Sequence, residues 1–299
     1  MKLCFVGHSN RSSGLIRGQQ ISERMQDSTF VEAGNTRALE KIRNQVCLIV
    51  RQPEPSAARI LKNNGCKVGY DLLDRPVSDY HDLTMRGKND GDFDWARYAH
   101  SDIDFYVVNN ALAKARLTEA LTRIGAPRMI HVIPHHTVNF NSKRNVVRER
   151  VERVGYVGFP NQFSSQDVVK DFCTKLGVTL VSVNPATRDE CVNVMSTLDI
   201  GVVFVEQVEK IPYTLRYKPN TKLSNFQSFG IPTIAVPYDS FVEFGGSPWV
   251  KVESLNEFCS NLDTLVQDFE RRSELNEAGW KHAQRFQIDN VVREFYGAL

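Results

Sequence analysis

Arg216, Lys218 and Lys222 fall within seven positions of a proline-broken stretch that opens a short amphipathic helix. That helix is expected to stop at Gly230, and an apolar strand follows from Pro232. Cations at a helix start oppose the dipole, whose orphan N–H groups already carry positive partial charge. An anion relieves the conflict, and a diphosphate suits a site made of backbone amides and lysines. Asn220 and Leu223 share this helix start and are expected beside the same ligand. Glu243, after the next strand, has the chemistry to hold sugar or ribose hydroxyls, or to cap the following turn.

Other candidates follow other strands. Ser13, Gly14 and Arg17 belong to a loop rich in glycine and hydroxyl residues after the first strand. Such a loop lets backbone approach an anion. It matches neither G-x-G-x-x-G nor a Gly-Lys-Ser/Thr phosphate loop. His8, in the same loop, and the carboxylates Asp71 and Asp74, after a later strand, are candidate general bases. The carboxylates can equally serve as helix caps or turn ligands. His135 and His136 end a further strand, and at least one is expected to line a cleft. Adjacent histidines point in different directions, so no metal site is expected. Gly158 would let a ligand approach the strand end that it follows.

The elements that position these residues alternate. Strands are expected at 3–7, 46–50, 67–71, 105–108 and 129–133, then at 154–157, 179–183, 200–204 and 233–236. Helices are expected at 18–25, 111–124, 165–176 and 188–197, with helical character throughout 257–299. Residues 80–95 read as a surface loop. Alternation of this kind implies parallel sheets with crossover helices. It occurs twice, so the expected fold is α/β, with two Rossmann-like doubly wound domains facing across a cleft. The N-terminal domain should span 1–141, a charge-dense linker 142–153 and the C-terminal domain 154–280. A final helix at 281–299 is expected to pack back on the N-terminal domain.

The bulk numbers agree with two domains in 299 residues, 41% of them hydrophobic and 24% charged. A net charge of +2 gives no general pull toward nucleic acid. None of the six cysteines forms a C-x-x-C pair, so buried reduced thiols are expected and zinc is not. The first strand is too short to be a signal peptide, and no run of about 18 apolar residues offers a transmembrane segment. A cytoplasmic location is expected.

The chain resembles the GT-B class of nucleotide-sugar glycosyltransferases, group 1 branch. Lys222-Leu223, followed by Gly230-Ile231-Pro232-Thr233-Ile234-Ala235, is similar to the family's donor-site signature. Ile133-Pro134-His135-His136-Thr137-Val138 is similar to the segment that ends its N-terminal domain. Asp102-Ile103-Asp104-Phe105 and Leu198-Asp199-Ile200-Gly201-Val202 match two further strand regions. Asn225 and Tyr217 stand where many retaining members carry a Glu-x7-Glu pair. The resemblance implies transfer of a sugar from a nucleoside-diphosphate sugar to an acceptor hydroxyl, without cofactor or metal. The N-terminal domain would then be the acceptor side and the C-terminal domain the donor side. The implied acceptor is a polysaccharide, lipid-linked saccharide or other glycan. Alternatives are a hydroxymethylated base in DNA, nucleotide-sugar epimerisation, or sugar-nucleotide binding without chemistry.

Overall fold

A computed structural model describes residues 2–9, 14–51, 54–73, 102–123, 125–159, 163, 165–204, 219–243 and 248–299. The chain divides into two compact units. Unit 1 comprises Met1–His135, Tyr213–Pro219 and Val291–Leu299, and unit 2 comprises His136–Pro212 and Asn220–Asn290.

Unit 1 holds a six-stranded sheet in the order β2-β1-β3-β4-β5-β6. Its strands are β1 (Leu3–Gly7), β2 (Ser28–Glu32), β3 (Val46–Val50), β4 (Lys67–Asp71), β5 (Phe105–Val108) and β6 (Met129–Val132), all paired in parallel. Every residue of β1 and β3 is buried. Unbroken apolar runs such as Val-Cys-Leu-Ile-Val are what a parallel strand covered on both faces requires. The edge strand β2, Ser-Thr-Phe-Val-Glu, is only partly buried. It is shielded less and needs fewer apolar residues. β1 pairs with β2 on one side and β3 on the other, so the winding reverses between β1 and β3. The last helix, Ile288–Ala298, enters unit 1 at Val291. There Phe295 meets Phe5 edge-on at 5.6 Å, and the Tyr296 hydroxyl donates to the Gln26 carbonyl.

Unit 2 holds a five-stranded parallel sheet in the order β11-β10-β9-β7-β8. Its strands are β7 (Arg153–Val157), β8 (Thr179–Val183), β9 (Ile200–Val203), β10 (Thr233–Ala235) and β11 (Val250–Lys251). β7 lies between β8 and β9, so the winding reverses between β7 and β9. The helix Thr221–Ser228 lies between β9 and β10 in the chain. It ends where Gly230, at φ 71°, donates to the Gln227 carbonyl and Ile231 donates to Phe226. A left-handed glycine is the usual stop for a helix, so Gly230 ends it as the sequence indicates. Residues 142–153 lie in unit 2. Asn145 donates its backbone N–H to the Phe229 carbonyl and its amide to the Met195 carbonyl. Arg272, buried, donates to the carbonyls of Arg148 and Glu149.

Among the described residues no helix is long and apolar enough to cross a membrane. All six cysteines are free, and four of them are buried.

Phe226 anchors the helix that carries Lys222, and its ring lies flat enough on β9 that a Cβ at Gly201 would stand 2.6 Å from it. Gly201→Ala should therefore push the helix off its sheet and cost about 1–3 kcal/mol, the usual range for overpacking. Urea denaturation checks this against Gly34→Ala, whose added Cβ meets nothing within 4 Å and should leave the midpoint unchanged.

Candidate functional site

In open α/β sheets, ligands bind at the carboxyl ends of strands where the winding reverses. In unit 2 that place is the end of β7, next to β9. Gly158 follows β7 at φ 150°, a conformation that favours glycine, and its N–H is pinned to the Val183 carbonyl at 2.9 Å. Lys222 reaches this point from the first turn of the helix that follows β9. Its ammonium donates to the Tyr156 hydroxyl at 2.8 Å and lies 4.6 Å from the centre of that ring. The lysine occupies the space that a Cβ on residue 158 would need, 2.9 Å from both Cε and Nζ. Tyr156 in turn donates to the Phe159 carbonyl at 3.1 Å and stacks on Phe163. Burial pushes the Tyr156 phenol up to about 12, so it is neutral near pH 7. Tyr238, just after β10, is raised as well, by burial first and then by its neighbour Tyr156. Asn220 stands at the N-cap, buried, with no side-chain capping bond to the helix. The cluster sets a cation beside a helix start, and the exposed amides of a helix start suit an anion.

In unit 1 the reversal lies between β1 and β3. His8 follows β1, and its Nε2 is 2.7 Å from Oε1 of Glu54, which follows β3. Both side chains are partly exposed, at 29% and 26%. A carboxylate only accepts, so Nε2 is the donor in this contact. A histidine held in one tautomer by a carboxylate can take a proton at its other nitrogen. Gly14 packs on the His8 backbone with no room for a Cβ.

Arg17 and Asp71 are brought together, but in the interior. The Arg17 Nε donates to Oδ2 of Asp71 at 2.6 Å, and both side chains have no solvent exposure. The same guanidinium donates to the carbonyls of Ile133 and Pro134 and lies 4.9 Å from the Phe295 ring. The other Asp71 oxygen accepts from the Leu73 N–H. The sequence expectation of a base at Asp71 and a phosphate ligand at Arg17 meets a fully buried pair here. Its charges satisfy each other and tie β4, the end of β6 and the last helix together.

The remaining candidates are distributed as follows. Leu223 is buried in the apolar core of unit 2 with Phe226 and Phe229, so its side chain packs rather than lining a polar surface. His135 and His136 are buried; Nδ1 of His136 is 3.0 Å from the Thr137 carbonyl, and its ring meets Phe140. Asn225 accepts from the Val138 N–H at 3.0 Å. Ser13, Asp74, Arg216, Lys218 and the Glu243 side chain lie outside the described residues, as does 80–95. Sequence reasoning missed Glu54 and Tyr156. Glu54 stands 46 positions from His8, and Tyr156 reads simply as strand core.

No family model matches the chain, and no curated protein does. Solved structures are similar over its whole length. Anabaena HepE in complex with UDP and glucose has a TM-score of 0.67 at 11% identity, over 99% of this chain and 98% of that one. Sucrose-phosphate synthase from Thermosynechococcus elongatus has a TM-score of 0.54 at 9% identity, over 99% of this chain and 98% of that one. The pneumococcal O-GlcNAc transferase GtfA in complex with UDP and GlcNAc has a TM-score of 0.56 at 10% identity, over 89% of this chain and 58% of that one. At these identities the likeness shows the fold: two parallel-sheet α/β units in the GT-B architecture.

Removing one partner of the buried pair strands a charge. Asp71→Ala should destabilise the protein by about 3–5 kcal/mol, whereas the double change Arg17→Met with Asp71→Leu should recover most of that loss. Chemical denaturation of both variants checks this; a mild effect of Asp71→Ala would remove the anchoring role.

Proposed function

We propose that the protein is a glycosyltransferase that moves a hexosyl group from a nucleoside-diphosphate sugar to a hydroxyl of an acceptor glycan. The observation that carries this is the Lys222 ammonium, held by Tyr156 over Gly158 at the winding reversal of unit 2. The complexes of HepE and GtfA with UDP support uridine as the nucleoside. The six free thiols suit a reducing compartment, the cytoplasm.

In the transfer, the bond from the anomeric carbon to the diphosphate oxygen breaks and negative charge grows on the diphosphate. A preorganised cation stabilises that charge without reorganising at the moment of reaction. Lys222 and the amides at the start of Thr221–Ser228 supply it here. The acceptor oxygen bonds to the anomeric carbon and gives up its proton. Nδ1 of His8 receives that proton, and Glu54 stabilises the imidazolium that results.

This mechanism is testable by variants that separate binding from turnover. Lys222→Met should raise the Kd for UDP about tenfold or more, as loss of a hydrogen bond to a charged group does. His8→Asn should leave UDP binding nearly unchanged and lower kcat by about 10²–10⁴, the usual contribution of a general base. Calorimetry with UDP and a transfer assay with UDP-hexoses read the two effects. Transfer to hydroxymethylated duplex DNA, or epimerised nucleotide sugar recovered without acceptor, would contradict the glycan-transfer function.

A further inference from the structure

An exposed aromatic ring is an ordinary surface feature when nothing marks its place. Phe159 is 59% exposed, more than any other phenylalanine, tyrosine or tryptophan among the described residues. It is the second residue after β7, the strand beside which the winding of unit 2 reverses. That is where a sheet of this kind takes its ligand. The other exposed aromatics stand on helices, Tyr296 in Ile288–Ala298 and Phe269 at the start of Phe269–Ala283.

The backbone under this ring is fixed. The Gly158 N–H donates to the Val183 carbonyl at 2.9 Å, and the Phe159 carbonyl accepts from the Tyr156 hydroxyl at 3.1 Å. Tyr156 in turn stacks on Phe163 with centroids 4.6 Å apart. The helix Thr221–Ser228 starts close by: a Cβ on residue 158 would stand 2.9 Å from Cε of Lys222, in its first turn. A flat apolar face is thus set one residue from the point where the helix start meets β7. Of the parts of a nucleoside-diphosphate sugar, the base is the flat aromatic one, and it lies farthest from the reacting bond. The sugar end needs shelter, because water at the anomeric carbon would hydrolyse the donor. A ring as exposed as Phe159 therefore suits the base. Every base has a π-face that stacks on an aromatic side chain.

We propose that Phe159 is the stacking platform for the nucleobase of the donor, the side chain that tells a nucleotide from a bare diphosphate. The inference rests on the nucleoside-diphosphate chemistry proposed above and names where the base lies. Calorimetry with UDP and with inorganic pyrophosphate tests it on the native chain, Phe159→Ala and Phe159→Trp. Phe159→Ala should weaken UDP binding about tenfold, as loss of one base stack does, and leave pyrophosphate binding unchanged. Phe159→Trp should restore the affinity for UDP. Its added fluorescence should be quenched by UDP and not by pyrophosphate. The ring is exposed, so Phe159→Ala should keep the native urea midpoint, and a lost ligand is then not a lost fold. An unaltered Kd for UDP in Phe159→Ala would overturn the platform and leave the diphosphate site standing. Equal losses for UDP and pyrophosphate would overturn it too, because the ring would then shape the site rather than hold the base. A native chain that binds neither ligand would reject the nucleotide chemistry itself, and the platform with it.

Discussion

A parallel sheet wound outward in both directions from its first strand leaves two adjacent strand ends with no crossover helix between them. That constraint brings the candidate residues of this chain together. In unit 1, the end of β1 carries His8 and the segment after β3 carries Glu54. In unit 2, the end of β7 carries Gly158 and the helix after β9 carries Lys222. Neither pair is close in sequence. Each is assembled because the winding reverses where it does.

The two sites differ in how they are held. Lys222 donates to the Tyr156 hydroxyl and runs through the space that a Cβ at Gly158 would take. The Arg17 guanidinium is consumed by Asp71, by two backbone carbonyls and by the face of Phe295, with no exposure to solvent. Both are basic residues near strand ends, and both look equally available in sequence. Burial and partners, not sequence position, make Arg17 an organiser of the unit around it.

Much of the architecture is legible from local pattern. The runs Leu-Cys-Phe-Val-Gly and Val-Cys-Leu-Ile-Val become central strands because only a strand buried on both faces demands such sequences. The edge strands Ser28–Glu32 and Val250–Lys251 escape notice: the first is polar and half covered, the second only two residues long. Lys222 was recognisable because a cation at a helix start conflicts with the dipole, a local signal. The partners of the site residues were not, because they are set by topology. Glu54 reaches His8 across 46 positions, Tyr156 reaches Lys222 across 66, and Asp71 reaches Arg17 across 54. The stretch 142–153 reads as a solvated connector because it is rich in charge, yet Arg148 pairs with Asp199 and its carbonyl is capped by Arg272 within unit 2.

The central claim is that a nucleoside diphosphate docks at the end of β7 against the start of the helix Thr221–Ser228. Hydrogen exchange measured with and without saturating UDP tests it most directly, because it locates the ligand without altering the chain. The account predicts slowed exchange at the backbone amides of residues 221–223 and 157–159, with the helix Gln20–Arg24 of unit 1 unchanged. Protection confined to other segments, or none at all, would contradict it.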